Sequence, residues 1–301
     1  MISGLVSPPG RQGPGPMPAA AVAALDLALA RRAGGRLPGS HRGIGVGAGT
    51  ELAQLRPYQV GDDVRMIDPA ASARTGVPHV RQHVPERALT TWIVVDLSPS
   101  MAFGSTGRLK SDVAEGVTKV VARLGSRRGG RVGVVAAGAP HPIVLPPAGG
   151  RLALGAIDRL LAAGVAPDGT PPEGLEEALV RVRGLARQPG LVIIASDLRD
   201  TGSWLRALQL LVASGQQVVA VEILDPRELE LPDSGVLSLV DPETGRLVEV
   251  DTRSNRLRRA FANAESGRRD HLAAELRRAG ARHAVVRTDG DWLRDLGSHL
   301  A

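Results

Sequence analysis

The chain contains no cysteine. That absence removes disulfides, thiolate metal sites and cysteine nucleophiles, and it leaves oxygen and imidazole as the available metal ligands. Aromatic residues make up 2% of the chain, too few to build the stacking platforms that single-stranded nucleic acids use. Lysine is almost missing as well: Lys110 and Lys119 stand alone among arginines, so the net charge of +6 has the look of GC-rich codon usage. A basic total of this kind attracts phosphate without specificity and does not by itself point to nucleic acid. No apolar run approaches the roughly 20 residues of a membrane helix. The opening "MISGLVSPPGRQGPGPMP" lacks the basic flank and apolar stretch of a signal peptide, and the expectation is a cytoplasmic protein.

What is present is enough for a sizeable core: 301 residues, 43% hydrophobic, which allows one large domain or two smaller ones. Residues 1–18 are rich in Gly and Pro and read as a disordered tail. Residues 19–87 read as an N-terminal subdomain, a helix over 19–34 followed by irregular or β-containing chain. From residue 88 onward continuous apolar runs appear at 90–96, 131–138, 191–197, 217–224 and 282–288. Continuous rather than alternating runs suit strands buried on both faces. Helical patterns at 109–126, 150–162, 172–187, 203–213 and 254–279 lie between them. This β–α alternation predicts an α/β fold with a mainly parallel sheet flanked by helices. Residues 236–251 interrupt the pattern with two short strands around "PETG" and read as an inserted hairpin.

Ligands of an open α/β sheet bind beyond the carboxyl ends of its strands, where connections diverge. "WIVVDLSPS" places Asp96 at one strand end with Ser98 and Ser100 in the loop after it, and "LVIIASD" places Asp197 at another. The loop "PDGTPPEG" brings Thr170 just ahead of a helix that Pro171 and Pro172 help to start. Two carboxylates and three hydroxyls suit a hard cation such as Mg²⁺, with Mn²⁺ or Ca²⁺ as substitutes. Taken singly, Asp96 and Ser98 also suit the bland role of capping the next turn.

The D-x-S-x-S of Asp96, Ser98 and Ser100, the Gly169–Thr170 pair and the "SD" at 196–197 resemble the metal-ion-dependent adhesion site of von Willebrand factor type A domains. The stretches 55–76, 96–104 and 224–245 are similar to the uncharacterised bacterial DUF58 family, whose members often accompany MoxR-type AAA ATPases. The resemblance implies a von Willebrand A-like (Rossmann-like) fold. It also implies Ser98, Ser100 and Thr170 as direct or near-direct ligands, Asp96 and Asp197 acting directly or through water, and a remaining position open to a partner's acidic group. One departure is visible, Pro69 where the family usually has tryptophan.

The expectation is therefore a non-enzymatic, Mg²⁺-dependent interaction module whose protein partner is a MoxR-type ATPase or that ATPase's client. The competing readings are a metal-assisted hydrolase, with Glu173 and Glu176 as the nearest candidate bases, and a basic nucleic-acid binder. "GIGVGAGT" (43–50) lacks the Lys-Ser/Thr of a phosphate-binding loop, and the serine of "FGSTG" (103–107) falls one position early for a nucleophile elbow. His141 and His283 have no spacing that links them to a serine and an acid. The arginines of 253–280 read as the solvated face of amphipathic helices, and the charges of 56–74 as an ion-paired loop network.

Overall fold

The computed structural model describes residues 4–25, 52–83, 90–170, 173–200 and 203–300. By internal contacts the chain divides into two compact units, Pro38–Ala88 and a larger one that joins Met1–Leu37 to Leu89–Ala301.

In the smaller unit, strands β1 (Leu52–Pro57) and β2 (His79–His83) pair antiparallel. Of the charges expected to form an ion-paired network in its loop, Arg56 and Asp62 pair, while Asp63 and Asp68 cap the turns that follow. Arg56 grips Asp62 with two nitrogens at 2.8 and 2.6 Å, and Asp62 also accepts from the Gln59 amide. Asp68 caps the helix Pro69–Thr75 by accepting from Ala71 N. Pro69 occupies the first helical position, where a missing N–H costs nothing and the fixed φ favours the helix start. The motif "GIGVGAGT" lies outside the described residues, as does the part of the expected first helix beyond residue 25; residues 19–25 are helical.

The larger unit is built on β3 (Thr90–Asp96), β4 (Arg131–Ala137), β5 (Val144–Ala148), β6 (Leu191–Ser196), β7 (Gln217–Leu224) and, after a separate hairpin of β8 (Val236–Val240) and β9 (Leu247–Asp251), β10 (Arg282–Arg287). These form one six-stranded sheet in the order β10-β7-β6-β3-β4-β5, parallel throughout except for β5. Numbered within the sheet, the order is 3-2-1-4-5-6, that of the doubly wound Rossmann-like fold. The apolar runs explain it. Ile93 and Val95 face one core with the helices Lys110–Gly125, Gly150–Ala162 and Trp292–Leu300, while Trp92 and Val94 face the other with Leu175–Leu185, Trp204–Ala213 and the end of Asn255–Arg278. Each fully buried aliphatic side chain contributes roughly 1.5–3 kcal/mol of transfer free energy.

Among the elements that escaped the sequence pattern are an edge strand and the last helix. β5 carries Pro146 and Pro147, residues that argue against a central strand and are tolerated at an edge. The helix Trp292–Leu300 buries Trp292, Leu293, Leu296 and Leu300 at helical spacing. The segment read as a disordered tail is corrected by the structure: residues 4–18 lie against the domain. Val6 and Val165 exchange both backbone hydrogen bonds, Gln12 and Gly13 amides donate to Asp112, Arg11 pairs with Glu115 at 2.6 Å, and the Trp292 indole donates to Pro14 O. A Gly/Pro-rich composition reports few local restraints; it is silent about acceptors waiting elsewhere in the chain.

Candidate functional site

The order of the sheet fixes where the connections diverge. β3 and β6 are neighbours, and their connections leave to opposite sides, so the switch point lies between the ends of these two strands. Asp96 ends β3 and Asp197 directly follows β6.

Asp96 is buried and holds two donors, Ser98 N at Oδ1 (2.9 Å) and the Ser196 hydroxyl at Oδ2. Ser98 starts a 3₁₀ turn (Pro99–Ala102), yet its hydroxyl makes no capping bond; Ser98 Oγ instead lies 3.1 Å from Ser100 Oγ. The capping alternative thus describes Asp96 but not the serines. Gly138, at the end of β4, is pressed against this loop: a Cβ there would sit 2.3 Å from Ser98 N, and its φ is +71°. On the other side Leu198, with φ +54°, turns the chain so that Leu198 N reaches Ser196 Oγ and Arg199 N reaches Asp197 Oδ1. A non-glycine residue held there costs of order 1–3 kcal/mol, strain that gathers at functional sites.

Lys110, fully buried at the start of its helix, places Nζ 2.7 Å from Asp197 Oδ2 and 2.6 Å from Glu228 Oε1. It separates the two aspartates electrostatically. Burial and then the charge of Asp197 push the Asp96 carboxyl above its usual range. Burial acts on Asp197 too, but the adjacent Lys110 ammonium outweighs it and holds that carboxyl low. Asp197 has a cationic partner; among the described residues Asp96 has none.

Thr170 is brought to the same mouth, since Ala166 N donates to Leu97 O and Gly169 N to Pro242 O. Its hydroxyl, however, turns back to donate to Pro167 O at 2.7 Å. The expected helix start at Pro171 and Pro172 lies outside the described residues; the helix is seen from Leu175. Glu173 pairs with Arg181 at 2.5 Å and Glu176 accepts from Ser203 N, so both glutamates considered as bases are engaged elsewhere. His283 pairs with Glu222 at 2.9 Å across neighbouring strands.

Two residues join the site that the sequence did not single out: Lys110 neutralises Asp197, and Glu243, from the turn of the β8–β9 hairpin, accepts from Ser100 N at 3.1 Å. Ser196, present in the sequence reading as part of the "SD" pair, orients Asp96. Burial pushes the Glu243 carboxyl up. A signal existed for Lys110, a rare lysine among arginines at a helix start.

Among the described residues no three His, Asp or Glu side chains gather into a ready-made metal cage. A cation would rest largely on hydroxyls and water. In octahedral coordination at about 2.1 Å, adjacent ligand oxygens lie about 3.0 Å apart. The Ser98–Ser100 hydroxyl pair, 3.1 Å apart beside the buried Asp96 carboxylate, fits that requirement.

The family model "Protein of unknown function DUF58" matches residues 54–271. The chain belongs to the DUF58 family. This DUF58 protein is 38% identical over 287 residues to the uncharacterized protein Rv1480 of Mycobacterium tuberculosis, covering 95% of this chain and 90% of that one. A second relative, the uncharacterized protein MAV169 of Mycobacterium avium, is 38% identical over 122 residues, 40% of this chain and 71% of its own. Among solved structures, the conserved hypothetical protein BatB of Bacteroides thetaiotaomicron aligns with a TM-score of 0.43 at 14% identity, over 70% of this chain and 97% of BatB. A von Willebrand factor type A protein of Catenulispora acidiphila aligns with a TM-score of 0.42 at 15% identity, over 71% of this chain and 42% of that one. No helix among the described residues is long and apolar enough to cross a membrane.

Proposed function

We propose that this DUF58 protein is a non-enzymatic interaction module that holds a divalent cation, Mg²⁺ in the first instance, at the end of β3 and uses it to grip a carboxylate of a protein partner. Asp96, Ser98 and Ser100 form the centre of the site, with Thr170 and Asp197 contributing directly or through water. The observation that carries the reading is the Ser98–Ser100 hydroxyl pair set beside Asp96, a buried carboxylate with no cation paired to it among the described residues, at the switch point of the sheet. When bound, the ion supplies a Lewis-acidic position for an incoming oxygen. The chain's own residues orient that position: Ser196 and the Ser98 amide fix Asp96, and Gly138 permits the close approach of the serine loop. A MoxR-type AAA ATPase, or that ATPase's client, is the partner that the family resemblance suggests.

The test is titration calorimetry of Mg²⁺ into the wild-type protein and into a double variant, Asp96→Ala with Ser98→Ala. Loss of binding in the variant, with its far-UV spectrum retained, supports the site; undiminished affinity overturns it. Retention of a MoxR-type ATPase from the native extract in Mg²⁺ but not in chelator tests the partner.

A further inference from the structure

The hairpin of β8 and β9 pairs only with itself, and its residues Val236, Val240 and Leu247 are each more than half exposed. An isolated two-stranded hairpin has little stability of its own, so its placement depends on what its ends touch. Its turn touches both loops of the site. Pro242 O accepts from Gly169 N at 2.9 Å, in the Thr170 loop, and Glu243 Oε1 accepts from Ser100 N at 3.1 Å, in the serine loop. The turn is shaped for this: Asp241 accepts from the Glu243 and Thr244 amides and from the Thr244 hydroxyl, which fixes the backbone around Glu243. Glu243 is half-buried, and among the described residues no lysine, arginine or histidine is paired with it. A half-buried carboxylate with no cation among the described residues, held by the amide of one of the two paired serines, is what the partner's acidic group would look like after binding.

We propose, resting on the cation reading above, that Glu243 is the chain's own occupant of the partner's position: it ligates the divalent ion in cis, and an incoming carboxylate must displace the hairpin turn to bind. The site is then self-capped, and partner capture is an exchange of one carboxylate for another. The weak independent stability of a two-stranded hairpin, whose strands here are largely exposed, makes that exchange feasible.

Mn²⁺ is the probe, used with the full chain. Wild-type protein and Glu243→Gln are compared for Mn²⁺ affinity and for the number of water molecules on the bound ion, read from water-proton relaxation. The glutamine keeps an oxygen for the Ser100 amide, and hydrogen exchange over residues 236–251 in metal-free protein verifies that the hairpin still docks. Expected is at least about tenfold weaker Mn²⁺ binding by Glu243→Gln, on the scale that lost metal-site partners cost, with one additional water on the bound ion. Equal affinity and equal hydration in both proteins overturn the role of Glu243 while leaving the cation site standing. Failure of both proteins to bind Mn²⁺ overturns the cation reading itself, and this proposal with it.

Discussion

Lys110 Nζ lies 2.7 Å from Asp197 Oδ2, and both side chains are closed to solvent. The same ammonium reaches Glu228 at 2.6 Å and stands 5.9 Å from the centre of the Phe103 ring. A compact, three-donor ammonium fits where a planar guanidinium would not.

Replacing Lys110 with Met leaves Asp197 as an unpaired buried charge. Removing one partner of a buried pair costs about 3–5 kcal/mol, and urea denaturation of Lys110→Met is expected to show a loss in that range. Lys110→Arg is expected to destabilise as well. Wild-type stability in either variant would show that the ammonium is not needed there.

Asp96 behaves in the opposite sense. Its carboxyl is held above the usual range by burial and by Asp197, so its ionised form disfavours the folded state wherever pH exceeds the unfolded value. Asp96→Asn removes that charge and can keep both hydrogen bonds, with the amide oxygen on Ser98 N and the amide nitrogen donating to Ser196 Oγ. In chelator the variant is expected to melt at a higher temperature than wild type, while calorimetry finds its Mg²⁺ binding lost. A lower melting temperature in chelator would contradict the electrostatic account.

Gly138→Ala tests the packing behind the serine loop. The new Cβ would fall 2.3 Å from Ser98 N, a backbone atom with nowhere to go, at a φ of +71°. The backbone conformation alone costs roughly 1–3 kcal/mol. Both lower stability and weaker Mg²⁺ binding are expected, since the loop must shift; stability lost with metal affinity intact would separate Gly138 from the site.

Glu222 provides a pH signature away from the site. Burial pushes its carboxyl up, but His283 at 2.9 Å and Arg268 at 3.0 Å outweigh burial and hold it below the ordinary glutamate value. A depressed folded-state pKa gives stability that is present above the unfolded value and lost as pH falls through the folded one. Denaturation at a series of pH values is expected to show stability falling below about pH 5 in wild type, with a flatter profile in Glu222→Gln. Glu265, which bonds Arg268 and Arg199, shares the same network and is the control substitution.

The sheet was legible because strands buried on both faces leave continuous apolar runs: Gln217–Leu224 was bounded to the residue. β5 was not, because prolines at an edge erase the signal that reveals a strand. Asp96, Ser98 and Ser100 are close in sequence and their grouping was readable. Lys110 and Glu243 were not, since each reaches the site over a long separation, Glu243 meeting Ser100 across 143 positions. Thr170 shows the limit in the other direction. Its loop arrives where expected, but a hydroxyl's direction is set by the nearest acceptor, here Pro167 O.

Consecutive N–H groups of a strand point to alternate sides, so of Pro146 and Pro147 one lacks a donor towards β4 and the other lacks one on the outward side. The inward gap lies where the β4–β5 register slips between Val132 and Val134. The outward gap has a different effect: a foreign strand laid along β5 would meet a missing rung and could not continue the ladder. Recruitment by strand addition is thereby discouraged at that margin of the sheet.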